Sequence, residues 1–395
     1  MTALSIFDQL TAANPKTEIW WDSSPLMFAP WSESAIAAAS PADTDSVASW
    51  LRHLFNPGDA HGTLFKGATN NPRLCLEAIN GNLPLWSRYV QSCIETNPQA
   101  GVEEIFWRAY RELARRGAEM MMPQWLASEK KFGFVSCQVD PRYAFDYERM
   151  LEQALALHAL SPNIMIKCPG SREGCRLVNE LTGRGIPTNS TLSFSVPQYV
   201  ACMKAVVSGL EIAKKRGLDL SGWRAVITHM SSRFERLGDL VPQAQARNIA
   251  LSPEEITWAS IAVFKRAYRI AQGARFPGKL LISSMRVGPR PASCWHIEQC
   301  AGADAIFTCP PPFIAELMRL DATGIILDPR AIEADPPGAV LDKLMRIPYF
   351  EASYEPDGMK PEQFNHYAPL AATMAEFIAA TNGMVDFVAR CMNPT

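Results

Sequence analysis

The chain has 395 residues with 38 basic and 40 acidic side chains, a formal net charge of -2, and 48% hydrophobic residues. That length buries a large core, as one big domain or two smaller ones, and the composition is that of a soluble globular protein. Near-neutral charge supplies no broad positive field for nucleic acid or an anionic membrane, so small molecules are the expected partners.

The first residues, MTALSIFDQLTAANPK, lack a basic start followed by an apolar core, and no later stretch reaches the roughly 18 consecutive apolar residues that span a bilayer. A cytoplasmic location is the expectation. Short apolar runs then recur along the chain: EIWWD (18 to 22), GTLFKGAT (62 to 69), FGFVSCQVD (132 to 140), NIMIKCPG (163 to 170), PTNSTLSF (187 to 194), RAVITHM (224 to 230), KLLISSMR (279 to 286) and DAIFTCPP (304 to 311). Between them, segments such as YAFDYERMLEQALALHAL and VPQYVACMKAVVSGLEIAKKRG repeat apolar residues at three- and four-residue steps, as helices covering a sheet do. Strand alternating with helix in this way predicts an α/β fold, a parallel (β/α)8 TIM barrel, whose strands are buried on both faces. A single domain over 1 to 395 is expected. Residues 23 to 61 exceed a simple crossover and suggest one helix with an elaborated loop; residues 330 to 395 form an extension ending in an amphipathic helix. The ten cysteines stand singly without a CxxC pair, which suits reduced, buried thiols. The six histidines show no HxxxH or HxH spacing, so a zinc site is not expected.

In a parallel barrel the active site lies at the C-terminal mouth of the strands. Read in order, those ends carry Asp22, Asn71, Gln138, Lys167, Asn189 with Thr191, Thr228 with Arg233, and Ser284 with Arg286. Each has a plainer use alone: Asp22 suits a helix cap, Asn71 a turn before Pro72, and the arginines surface ion pairs. Their convergence on one ring favours a site. Lys167 stands out, because an ammonium at the inner end of NIMIKCPG is costly unless it is paired or gives up its proton. A neutral lysine attacks a ketone to form a Schiff base, and the protonated imine draws the electrons of a neighbouring C–C bond. Asp22 is the candidate base for the sugar hydroxyl proton released in that cleavage. Arg233 and Arg286 suggest a phosphate clamp, since the guanidinium fork matches phosphate oxygens.

The stretches GATNNPRL, FGFVSCQVDPR, NIMIKCPGSREG, GRGIPTNSTLSFS and RGLDLSGWRAVITHMSSRFE resemble, in order and spacing, the transaldolases, and in particular their longer bacterial branch. The resemblance runs from about Glu18 to about Pro312. It implies a barrel enzyme that moves a three-carbon dihydroxyacetone unit from a ketose phosphate, such as fructose 6-phosphate or sedoheptulose 7-phosphate, to an aldose phosphate without a cofactor, as a monomer or homodimer. It further implies Lys167 as the Schiff-base lysine, Asp22 as general acid/base, Asn71 and Asn189 as holders of donor hydroxyls, and Thr191 as partner of a catalytic water. Arg233 and Arg286 are implied as phosphate ligands, with Thr228 and Ser284 beside them.

Gln138 departs from that pattern, because it stands where transaldolases usually carry a glutamate. An amide holds a water by hydrogen bonds but exchanges no proton near neutrality. Related aldolases that cleave fructose 6-phosphate have glutamine here with a tyrosine on strand six, where this chain has Met230 after His229. Three readings follow: a transaldolase, a Schiff-base aldolase or specialised homologue with an altered donor or acceptor, and a catalytically silent barrel that binds sugar phosphates.

Overall fold

The computed structural model describes residues 5–321 and 323–393. Each apolar run named above contains one strand: β1 Glu18–Trp21, β2 Phe65–Thr69, β3 Phe134–Gln138, β4 Ile164–Pro169, β5 Thr188–Ser193, β6 Ala225–Met230, β7 Lys279–Ser283 and β8 Ala305–Cys309. They follow one another in sequence order around a closed barrel, and the pairs β2–β3, β3–β4, β5–β6, β6–β7 and β7–β8 are parallel. Every residue of β3, β4, β5, β6 and β8 is buried. Burial on both faces removes the polar half of a strand's alternation, which is why these segments read as unbroken apolar runs.

The chain divides into two compact units, residues 5–19 with 168–373, and residues 20–167 with 374–393. In the second, Gly67 of β2 makes room for an indole. A Cβ there would lie 2.6 Å from the Trp20 ring, closer than packed atoms tolerate. In the first, helices Arg172–Gly183 and Val196–Lys215 approach through Gly209, where a Cβ would meet the Asn179 carbonyl oxygen at 2.6 Å. Ser171 and Ser195 cap these two helices by accepting from the Gly174 and Gln198 backbone N–H groups, so the turns leaving β4 and β5 are held by side chains.

Residues 23 to 61 depart from the expected single helix. A 3-10 turn at Pro25–Met27 leads into two helices, Phe28–Ala37 and Thr44–Leu54. An aromatic cluster organises them: the Phe28 ring sits 5.3 Å from Trp21 and 5.1 Å from Phe55, and Trp31 sits 5.2 Å from Trp21. The C-terminal extension holds helices Gly338–Met345, Pro348–Tyr354, Pro361–Phe364 and Ala368–Met392. The last buries Leu370, Met374, Phe377, Met384, Phe387 and Val388, the spacing of an amphipathic helix. No helix of the described residues is long and apolar enough to cross a membrane.

Candidate active site

Lys167 lies in β4 and is 4% exposed. Its Nζ donates to the Asn70 carbonyl oxygen at 2.9 Å. Asn70 immediately follows Thr69 at the end of β2, and the Thr69 hydroxyl donates to Asp22 Oδ1 at 2.6 Å. The end of β2 therefore holds the amine and the carboxylate on two consecutive residues, although Asp22 and Lys167 are 145 positions apart by subtraction of their numbers. A buried amine beside a neutral carbonyl keeps a hydrogen-bond partner whether or not it carries its proton.

Gln138 is the register partner of Lys167 across β3 and β4, and is 2% exposed. Its backbone carbonyl accepts from the Tyr110 hydroxyl at 2.6 Å, which pins the end of β3. Its side-chain Oε1 is buried without a hydrogen-bond partner among the described residues. A buried amide oxygen left so is costly, and a bound ligand or water would satisfy it. Burial pushes the Cys137 thiol up to about 12 and the Cys168 thiol well above its ordinary range, so both stay protonated and inert beside the lysine.

Asn71, expected to face the donor, also caps a helix. Pro72 biases Asn71 toward extended backbone, and with φ -151° the residue becomes the N-cap of helix Pro72–Asn80, its Oδ1 accepting from Leu74 N–H at 3.0 Å. Its neighbour Asn70 touches the lysine, and both side-chain amide atoms of Asn70 are buried without partners among the described residues. The turn reading of Asn71 accounts for its Oδ1, and Asn70, which sequence reasoning did not single out, stands beside it at the end of β2.

In the unit containing residues 168–373, β5 carries Asn189 and Thr191, both fully buried. The strand is irregular between Ser190 and Ser193, and Leu192 adopts φ 57°. Gln198 holds this kink: its Nε2 donates to the carbonyls of Gly170 at 2.8 Å and Leu192 at 3.0 Å, while its Oε1 accepts from Phe194 N–H at 2.9 Å. Thr191 Oγ1 is buried with no hydrogen-bond partner among the described residues. The Thr228 hydroxyl donates to Asn189 Oδ1 at 2.7 Å and so fixes which way that amide faces. Thr228, grouped with the arginines on sequence grounds, orients Asn189.

Arg233 lies on the short helix Ser231–Leu237 after β6, and Ser284 and Arg286 follow β7. Ser284 has φ 53°, and its carbonyl accepts from Ser232 N–H at 3.1 Å, tying the two loops together. Arg286 Nη2 lies 2.5 Å from Oε2 of the buried Glu235. His229, between these elements in sequence, is packed among Tyr199, Phe234 and Phe264, and desolvation pushes its pKa down to about 3. It is therefore a neutral core residue at ordinary pH.

A comparison with family models matches residues 60–352 to transaldolase/fructose-6-phosphate aldolase, which is most of the chain and holds seven of the eight strands. The chain belongs to the transaldolase/fructose-6-phosphate aldolase family. Among relatives of this family, "Transaldolase 2" of Nostoc punctiforme is 27% identical over 275 residues, 63% of this chain and 70% of that protein. "Transaldolase 1" of Streptomyces avermitilis is 38% identical over 201 residues, 48% of this chain and 52% of that protein. "Transaldolase 2" of Nostoc sp. is 27% identical over 319 residues, 71% of this chain and 82% of that protein. Sequence reasoning did not single out Asn70, Tyr110, Gln198, Glu235 or His296, although Asn70 and Glu235 stand inside the stretches GATNNPRL and RGLDLSGWRAVITHMSSRFE. Only the doubled asparagine in GATNNP offered a hint, since either residue stands at the end of β2.

Proposed function

We propose that this protein transfers a dihydroxyacetone unit from a ketose phosphate to an aldose phosphate through a Schiff base on Lys167. The observation that carries the reading is the common anchoring of Lys167 and Asp22 on the end of β2, with the amine buried. Neutral Lys167 attacks the C2 ketone of the donor, and water leaves as the imine forms. Asp22 takes the C4 hydroxyl proton while the C3–C4 bond breaks; an aldose departs and the three-carbon enamine stays on the lysine. Addition of that enamine to an acceptor aldehyde, with return of the proton, forms the new bond, and hydrolysis frees the product and the amine. Asn71 and Asn189, with the side chain of Asn70, are assigned to the donor hydroxyls, Thr191 to the catalytic water, and Arg233, Arg286 and Ser284, with Thr228 nearby, to the phosphate. Family membership supports sugar phosphates as the substrate class.

Gln138 supports a second reading, a Schiff-base aldolase that releases the three-carbon unit instead of passing it on. An amide cannot shuttle the protons of imine exchange, which matters in both reactions. The two are separated by incubating fructose 6-phosphate with and without erythrose 4-phosphate and following both glyceraldehyde 3-phosphate and free dihydroxyacetone. A transferase yields glyceraldehyde 3-phosphate only when the acceptor is present, whereas an aldolase yields both products without it. Absence of turnover with every ketose phosphate tried, together with measurable binding, would leave the silent-barrel reading standing.

A further inference from the structure

We infer that Glu235 is a positioning residue that fixes the Arg286 guanidinium so that its open edge meets a phosphoryl group. The inference rests on the assignment of Arg286 to the phosphate, and deepens it. Glu235 lies on the helix Ser231–Leu237, two residues after Arg233, and ends the stretch RGLDLSGWRAVITHMSSRFE without being singled out there. Its side chain is wholly buried, and a carboxylate there is tolerated only with near-complete pairing.

That pairing is specific. Oε1 accepts from the Ser260 hydroxyl at 2.6 Å and contacts His296 Nε2 at 2.7 Å, and Oε2 faces Arg286 Nη2 at 2.5 Å. The Arg286 backbone N–H donates to His296 Nδ1 at 3.1 Å. A backbone N–H only donates, so Nδ1 must be the acceptor nitrogen and the His296 proton sits on Nε2, aimed at Glu235. The carboxylate thus holds Arg286 at two points, at the guanidinium by the close ion pair, whose Oε2 makes no hydrogen bond of good geometry, and at the backbone through His296. Thr257 Oγ1 lies 3.4 Å from the same Nη2.

The arginine is less committed than its partner. Its side chain is 39% exposed, and neither Nε nor Nη1 donates a hydrogen bond to a described residue. An ion pair serving only the core would bury both members. Here one end of the guanidinium is fastened to a buried anchor and the other faces outward, the arrangement that lowers the ordering cost of binding an anion. The backbone bond from Ser232 N–H to the Ser284 carbonyl locks the Arg233 and Arg286 loops to each other, so the anchor sets the spacing of both cations.

The test uses the full chain and inorganic phosphate, titrated calorimetrically against wild type, Glu235→Gln, Glu235→Ala, Arg286→Ala and the Glu235→Ala/Arg286→Ala double variant. Glu235→Gln keeps the shape of the site and removes the charge, so it decides the matter if the alanine variant does not fold. The expected result is phosphate affinity weakened about tenfold or more by Glu235→Ala and a few-fold by Glu235→Gln, with no added loss when Glu235→Ala joins Arg286→Ala. In turnover, the loss should fall mainly on KM, and kcat/KM should drop about tenfold more for a ketose phosphate than for the same ketose without phosphate. Unchanged or tighter phosphate binding, an additive double variant, or equal losses on both donors would overturn the inference. Because the titration needs no turnover, it decides the role of Glu235 even if wild type processes no ketose phosphate, an outcome that would sink the functional reading instead.

Discussion

Replacing Gln138 by glutamate puts a carboxylate beside the amine, and its consequences can be worked out from the register. Gln138 and Lys167 are paired residues on neighbouring strands, both nearly fully buried. Strands in a sheet lie about 4.8 Å apart. Two unit charges at that separation attract by about 3 kcal/mol at an effective dielectric constant near 20. That attraction favours the ammonium and raises the lysine pKa by roughly two units. Imine formation needs the neutral amine, so the rising limb of the pH–rate profile should move up by about two pH units in Gln138→Glu. Against that cost, a carboxylate able to shuttle protons through a water contributes about a hundredfold or more to imine exchange. The net expectation is rough balance near neutrality and a gain of about tenfold or more in transfer kcat at the shifted optimum. The assay is the coupled transfer reaction followed from about pH 6 to about pH 10, the range over which a buried lysine titrates. A profile whose optimum does not move, or a kcat below wild type at every pH, would refute the reasoning and assign the glutamine to a different native reaction.

Two further substitutions test separate parts of the structure. Thr69→Val keeps the side-chain shape and removes the 2.6 Å hydrogen bond to Asp22; hydrogen bonds to charged groups are worth about 1.5–3 kcal/mol, so kcat should fall about ten- to a hundredfold and folding stability by up to the same amount, measured by steady-state kinetics and equilibrium unfolding, and an unchanged kcat would contradict the anchoring role. His229→Phe tests the buried histidine. Its folded pKa is depressed to about 3, so below the unfolded value of about 6.5 the unfolded chain binds a proton that the folded chain refuses, and stability is lost as pH falls through that window. Between about pH 6.5 and about pH 4.5 wild type should lose roughly 2–3 kcal/mol that the phenylalanine variant keeps, and parallel stability curves would contradict this.

The barrel was legible because its signal is local. Strands buried on both faces leave continuous apolar runs, and β1 to β8 fall inside them. Residues 23 to 61 were read too simply, since the two helices there depend on contacts among Trp21, Phe28, Trp31 and Phe55, which periodicity does not encode. Lys167 was visible as a charge inside an apolar run. Asn70 was hidden because a backbone carbonyl makes its contact with the lysine, and any residue type supplies a carbonyl. Glu235 and His296 were hidden for a different reason: 61 residues separate the partners of their 2.7 Å contact, and each alone resembles an ordinary helix residue. Thr228 shows the converse, a residue correctly placed on a strand end whose partner, Asn189, only the fold reveals.

The account stands or falls on the amine of Lys167. Wild-type protein incubated with fructose 6-phosphate and reduced with borohydride, then digested and mapped by mass spectrometry, should carry a reduced three-carbon or whole-sugar adduct on Lys167, and Lys167→Met should carry none. An unmodified Lys167 under conditions of turnover, or an adduct confined to another buried lysine such as Lys265, would contradict it.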